Sequence, residues 1–286
     1  MKKIAFTVAF GSDIYINMAN CLKKTVNLYS PSVDFKIFGE GFYTPFNSKL
    51  KDKNQLPKDF KYPKLEIFTK LNDPDVIYMY IDADSFVFGD LNPYFDLIEN
   101  DELIIEYCYS GKNGWAGNKD LDFVNACEKA GIKGMKPYSI NSGFMIWKNQ
   151  KKCFEYALDL IKNKTIDDAK GRVGDEYYLC AGIQLAKTKI KPLNYNEVKI
   201  GKFWNGKIRY KNKRLICSSY PANDRIIQHY GNSNYFNVEV KKVFKSLNSP
   251  YAKYSYYKTL RIRLINLLKS IGIQNTGITK IIPFKK

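Results

Sequence analysis

Apolar positions along the chain fall into short runs separated by helical patterns. Residues 3–10 are an apolar run that reads as a strand. Ile14, Met18, Leu22 and Val26 recur at steps of four, which predicts an amphipathic helix over 13–29, capped by Ser12 or Asp13. Residues 34–38 form a second strand, closed by Gly39-Glu40-Gly41. A polar loop over 44–57 and a short helical segment over 65–71 follow. Val76 to Ile81 are six consecutive apolar residues, the pattern of a central strand buried on both faces. Further strands are expected at 103–106 and 140–147. A helix over 150–162 carries Phe154, Ala157, Leu158 and Ile161 on one face, and another helix starts at 174–181. This βαβ rhythm implies an α/β domain with a mostly parallel central sheet flanked by helices.

Beyond about residue 240 the pattern changes. Tyr257, Leu260, Leu264, Leu267 and Ile271 step by three and four, with Lys258, Arg263, Asn266 and Lys269 on the other side. This is a basic amphipathic helix, preceded by Tyr251, Tyr254 and Tyr256. The expected division is a domain over 1–239 and a basic helical extension over 240–286.

Composition narrows the class. With 286 residues, 18 Gly, 11 Pro and 45% hydrophobic positions, the chain is globular, which excludes collagen, low-complexity disorder and a small disulfide scaffold. No run of 18 or more apolar residues predicts a transmembrane helix. The first ten residues lack a small-residue cleavage site and read as a strand rather than a secretory signal. Six cysteines are widely spaced with no C-x-x-C, which fits buried thiols in a reducing compartment. They outweigh the single sequon at Asn163-Lys164-Thr165, and the expected location is cytoplasmic.

Charge divides the chain unevenly. The net charge is +18, yet residues 1–182 hold 24 Lys+Arg against 25 Asp+Glu. Residues 183–286 hold 22 against 3, and no acid follows Glu239. The basic surface thus belongs to the last third, not to the α/β domain.

Four segments carry candidate chemistry. Asp82-Ala83-Asp84 follows the buried run 76–81. Two carboxylates at the carboxyl end of such a strand can hold a hard divalent cation that bridges a diphosphate, or they can simply end the strand in a turn. Eighteen aspartates give roughly one D-x-D by chance. The chain has three, and only this one follows a fully apolar run. His229, the only histidine, ends the apolar stretch of Ile226-Ile227-Gln228. It is either a packed residue or a nitrogen ligand, and with two carboxylates it would suit Mn²⁺. Asn141-Ser142-Gly143 interrupts the strand at 140–147. It is a β-bulge, a tight turn, or a segment that offers hydrogen bonds to sugar hydroxyls. Asp175-Glu176 opens a helix, where acids favour the dipole; the pair can also bind hydroxyls and face an anomeric carbon. Gly201–Lys207 has Walker A spacing, but Ile208 stands where Ser or Thr must be.

In order and spacing, these pieces resemble the glycogenin-like, retaining family 8 glycosyltransferases of the GT-A fold. The matching residues are Asp13-Ile14-Tyr15, Lys64-Leu65, Tyr80-Ile81-Asp82-Ala83-Asp84, Asn141-Ser142-Gly143, Asp175-Glu176 and His229, so the resemblance spans about residues 3–231. It implies a hexosyltransferase-like enzyme with a nucleotide-sugar donor, UDP-linked, and Mn²⁺ or Mg²⁺. Tyr15 would stack on the base, with Asp13 near base and ribose. Asp82, Asp84 and His229 would hold the metal. Lys64, Asn141 and Asp175 would contact donor sugar or phosphates, with Ala83 and Ser142 lining the same site. Asp175 and Glu176 would be the catalytic residues.

Two departures bear on mechanism. The family usually has Gln where Glu176 stands, so double displacement, or inversion with Asp175 or Glu176 as base, stays open beside retention. The family's lysine after the histidine is missing, which leaves Arg225, Lys241 or Lys242 as the phosphate cation. The acceptor implied is a glycan or lipid-linked molecule. The helix over 253–271 would either dock peripherally on an anionic membrane or pack its leucine face on the domain. A nucleic-acid-binding protein is the reading from a different class, suggested by the basic tail. It gives no account of Asp82 and Asp84 in a neutral domain.

Overall fold

The computed structural model describes residues 1–10, 13–39, 62–109, 124–136, 138–163, 175–193, 199–201, 206–211, 214–219, 224–229 and 238–247. The elements that position the site begin with β1 (Lys2–Val8), α1 (Asp13–Tyr29), β2 (Asp34–Phe38), α2 (Tyr62–Lys70) and β3 (Val76–Ile81). They continue with β4 (Ser85–Val87), α3 (Asn92–Phe95), β5 (Leu103–Tyr109), β6 (Tyr138–Trp147), α4 (Lys151–Lys162), α5 (Asp175–Ala186) and β7 (Ile190–Pro192). Short strands β8 (Ile200–Gly201), β9 (Gly206–Lys211), β10 (Arg214–Ser219), β11 (Asp224–Arg225) and β12 (Ile227–His229) precede α6 (Val238–Ser246).

The main sheet has the order β2-β1-β3-β6-β5-β7. Its pairs are parallel except those of β6, which runs antiparallel to both β3 and β5. The sheet is therefore mostly parallel, as expected, with one reversed strand that the apolar pattern does not reveal. Helices cover both faces. In β3, Ile77, Met79 and Ile81 join one core with Met18, Leu22 and Val26 of α1. Val76, Tyr78 and Tyr80 join the other with residues of α2, α4 and α5. Burial of all six β3 side chains follows from this three-layer arrangement.

Contact between α4 and α5 depends on Gly182, because a Cβ there would run into the Cys153 carbonyl oxygen. In α4, Phe154, Ala157, Leu158 and Ile161 are buried as the spacing predicts. Element ends differ modestly from expectation: β1 stops at Val8, β5 continues to Tyr109, and α5 runs to Ala186. Helix α6 crosses residue 240 and buries Val243 and Phe244 in the α1 core, where the Phe244 and Phe86 rings meet edge-on at 5.3 Å. Residues 248–286, with the amphipathic segment 253–271, lie outside the described residues. Among the described residues, no helix is long and apolar enough to cross a membrane.

Candidate active site

In the sheet order, β1 leads through α1 to β2 on one side, while β3 lies on its other side. The strand order thus reverses between β1 and β3, and open α/β sheets bind ligands beyond the carboxyl ends of strands at such a switch point. A cavity of about 300 Å³ lies there, lined by Val8, Phe10, Tyr15, Lys64, Tyr80, Asp82, Ala83, Asp84, Ser142, Asp175 and Glu176. These residues come from six elements or their ends, β1, α1, α2, β3, β6 and α5, which only the fold brings together.

Asp82 and Asp84 leave the end of β3. His229 arrives from β12, which pairs antiparallel with β4 so that His229 faces Ser85. Its Nδ1 lies 3.2 Å from Asp84 Oδ1 and 3.2 Å from Ser85 Oγ. Asp82, Asp84 and His229 each offer a ligand atom, and these atoms lie within 4.8 Å of one another. Burial pushes the Asp84 carboxyl up to about 6, with His229 opposing that shift and Asp82 adding to it. Two crowded carboxylates and one imidazole, partly withdrawn from water, are a donor set that fits a divalent cation such as Mn²⁺ or Mg²⁺. By contrast, Asp73-Pro74-Asp75 forms its own turn, with Asp75 N–H donating to Asp73 Oδ1 at 2.9 Å. Asp120-Leu121-Asp122 lies outside the described residues.

Lys64, on α2, is the cationic centre of the cavity. Its Nζ lies 2.7 Å from Asp175 Oδ2, 3.6 Å from Asp82 Oδ1 and 3.0 Å from Ser142 Oγ. It also sits 4.6 Å from the centre of the Tyr80 ring. Burial works to lower its pKa, but Asp175, Tyr80 and Asp82 together hold it well above the ordinary value.

A break of register in β6 supplies Ser142. Met145 pairs with Ile105 and Asn141 pairs with Glu106, so residues 142–144 bulge from the β5 side. The Asn141 Oδ1 accepts the Gly143 N–H at 2.9 Å and so shapes the bulge; Asn141 is not among the lining residues. Gly143 is needed because Asp82 approaches closely: a Cβ there would lie 3.0 Å from Asp82 Oδ2 and 3.0 Å from Asn141 Oδ1. The Gly143 carbonyl in turn accepts the Asp82 N–H at 2.8 Å. Ser142 then joins both acids of α5. Its hydroxyl donates to Asp175 Oδ2 at 3.2 Å, and its N–H donates to Glu176 Oε1 at 3.1 Å. Burial pushes the Glu176 carboxyl up to about 7, and Asp175 adds to the shift while the Ser142 N–H and Lys64 oppose it.

Asp13 opens α1, and its side chain lies outside the described residues. Of the alternative phosphate cations, Lys242 is exposed on α6, and the side chains of Arg225 and Lys241 lie outside the described residues. Three roles were not read from the sequence. Tyr80 donates its hydroxyl to Asp82 Oδ1, Ser85 meets His229, and Gly143 makes room for Asp82. Strand period signals the first, since residues 80 and 82 share a face. No local pattern signals the pairing of Ser85 with His229.

No protein-family model matches the chain, and no curated protein matches it. Solved structures do. The galactosyltransferase LgtC, in complex with donor and acceptor sugar analogs, superposes at a TM-score of 0.51 with 14% identity, over 87% of this chain and 96% of LgtC. The bifunctional glycosyltransferase WbbM, in its apo form, superposes at 0.51 with 10% identity, over 91% of this chain and 52% of WbbM. The glycosyltransferase GlyE of Streptococcus pneumoniae TIGR4 is also similar, at 0.41 and 14%, over 68% of this chain and 46% of GlyE. The chain thus spans about half the length of WbbM and of GlyE. The likeness to LgtC and WbbM establishes the architecture: the chain has the GT-A glycosyltransferase fold.

Proposed function

We propose that this chain is a divalent-cation-dependent, hexosyltransferase-like glycosyltransferase. It moves a sugar from a UDP-linked donor to a glycan or lipid-linked acceptor with retention. The observation that carries this reading is the meeting of Asp82, Asp84 and His229 with the Lys64–Asp175–Ser142 network at the switch point of a GT-A fold.

In this reading Tyr15 stacks on the base and Asp13 lies near the ribose. Asp82, Asp84 and His229 hold the cation, Mn²⁺ or Mg²⁺, which when bound supplies Lewis-acid stabilisation of the diphosphate leaving group. Lys64 presents its charge to the donor while paired with Asp175. Asn141 holds the bulge, and Ser142 makes the direct contact from that segment. The bond from the anomeric carbon to the diphosphate oxygen breaks, and the acceptor hydroxyl oxygen bonds to the same face. The acceptor proton passes to the departing diphosphate. Glu176, beside the sugar, stabilises the positive charge that develops between the two events.

Glu176 favours a second reading on one feature of its surroundings: burial pushes its carboxyl up to about 7. A group with that pKa is matched to base work near neutrality. Inversion with Glu176 taking the acceptor proton then becomes the alternative, while Asp175 is already committed to Lys64 and Ser142. Analysis of the product anomer decides between the two.

In this reading the chain is cytoplasmic and docks peripherally on an anionic membrane through residues 253–271. Support for the dock is the acid-free, lysine- and arginine-rich sequence after Glu239. The test of the enzymatic reading is a hydrolysis screen of nucleotide sugars with Mn²⁺, Mg²⁺ and EDTA. Turnover of at least one donor, abolished by EDTA, is expected; cation-independent turnover or none at all would overturn the reading.

A further inference from the structure

Tyr80 lies in the middle of an apolar cluster, where a phenylalanine would fill the same space. It is 2% exposed, with its ring 5.5 Å from Phe6 and 5.0 Å from Phe68. What the hydroxyl adds is one hydrogen bond, donated to Asp82 Oδ1. A buried tyrosine hydroxyl needs a partner, and here the partner is a carboxylate of the cation site. The same ring lies under the Lys64 ammonium at 4.6 Å. One side chain therefore touches both the acidic and the cationic half of the cavity.

The rest of Asp82 is restrained as well. Its N–H is tied to the Gly143 carbonyl, and its Oδ2 lies where a Cβ on Gly143 would be 3.0 Å away. With Oδ1 held by Tyr80, the carboxylate has little rotational freedom left. A ligand already oriented loses less freedom when a cation binds, which is why partners behind a metal ligand carry much of the affinity.

We propose that Tyr80 is a positioning residue that orients the Asp82 carboxylate for the divalent cation, with its ring serving as the platform for Lys64. This rests on the cation-dependent reading above. Tyr80→Phe keeps the ring, the core volume and the platform, and removes only the hydrogen bond. Mn²⁺ alone is titrated into wild-type and Tyr80→Phe protein and followed by the loss of the free-ion electron paramagnetic resonance signal. The expected result is a dissociation constant about 10- to 100-fold weaker in the variant, with a circular dichroism spectrum and melting temperature close to wild type. A merely structural role would move the melting temperature and leave Mn²⁺ affinity alone, and that result would overturn the proposal. Tyr80→Leu, which also removes the platform, should weaken Mn²⁺ binding at least as much. If it binds Mn²⁺ more tightly than Tyr80→Phe, the proposal fails. Wild-type protein that binds no Mn²⁺ would remove the cation reading itself, whereas tight wild-type binding matched by the variant would remove only the role of Tyr80.

Discussion

Ser85 and His229 are 144 residues apart in the chain and directly opposite each other in the antiparallel pair of β4 and β12, with their side chains 3.2 Å apart. This one register brings the imidazole to Asp84. A slip of one residue would turn the His229 side chain to the other face of the strand. The candidate cation site is thus a product of strand pairing as much as of the Asp82-Ala83-Asp84 segment.

Asp84 carries the first prediction. Asp84→Asn keeps the size of the side chain and removes its charge, beside His229 at 3.2 Å. Cation-dependent donor hydrolysis should fall by about a thousandfold or more, as expected when a ligand of an essential cation is lost. Donor turnover measured across an Mn²⁺ titration tests it, with circular dichroism confirming the fold. Full activity in the variant would remove Asp84 from the site.

Lys64 offers a prediction about stability. Its side chain is 12% exposed and that of Asp175 is 23% exposed, so their pair is largely withdrawn from water. Lys64→Met leaves Asp175 without its cation and should cost about 2–4 kcal/mol in urea unfolding. Adding Asp175→Asn should restore most of the stability without restoring activity, because the second change removes the stranded charge. If Lys64→Met unfolds at the wild-type urea concentration, the pair is not the anchor described.

Glu176 makes the protein sensitive to pH. Burial raises its carboxyl from an ordinary 4.5 to about 7, so the folded state binds this proton more tightly than the unfolded chain does. The stability it contributes is complete below about 4.5 and is lost as pH rises to about 7, roughly 3 kcal/mol across the window. Unfolding measured near about pH 5 and about pH 8 should show that loss in wild type, and Glu176→Gln should abolish this part of it. An equal loss in both proteins would mean that another group is responsible.

The basic extension predicts salt-sensitive docking. Each lysine or arginine near an anionic bilayer contributes about 1 kcal/mol. Replacing Lys258, Arg261, Arg263 and Lys269 with glutamine should therefore abolish co-sedimentation with phosphatidylserine vesicles, while donor hydrolysis in solution stays at the wild-type rate. Wild-type protein that sediments equally, and negligibly, with anionic and neutral vesicles would favour a packed helix instead.

Local pattern in the sequence determined the elements and several site residues. The unbroken apolar run at 76–81 marked β3 because a strand covered on both faces has no polar side to display. The four-residue steps of Met18, Leu22 and Val26 marked α1 for the same kind of reason, with one buried face repeating each turn. Asp82 and Asp84 were legible because they sit where that strand must end. Asp175 and Glu176 were legible at a helix start, although their partner there was not.

Tertiary structure alone decided how these pieces meet. Reversal of β6, the bulge that delivers Ser142 to Lys64 and Asp175, and the pairing of β12 with β4 all depend on hydrogen bonds between distant backbones. Backbone groups are the same in every non-proline residue, so the sequence near Ser142 or His229 carries little record of which strand will lie beside it. Two apolar cores on the two faces of one sheet hold that order, and the hydrogen bond from Tyr80 to Asp82 sits at the end of the strand they share.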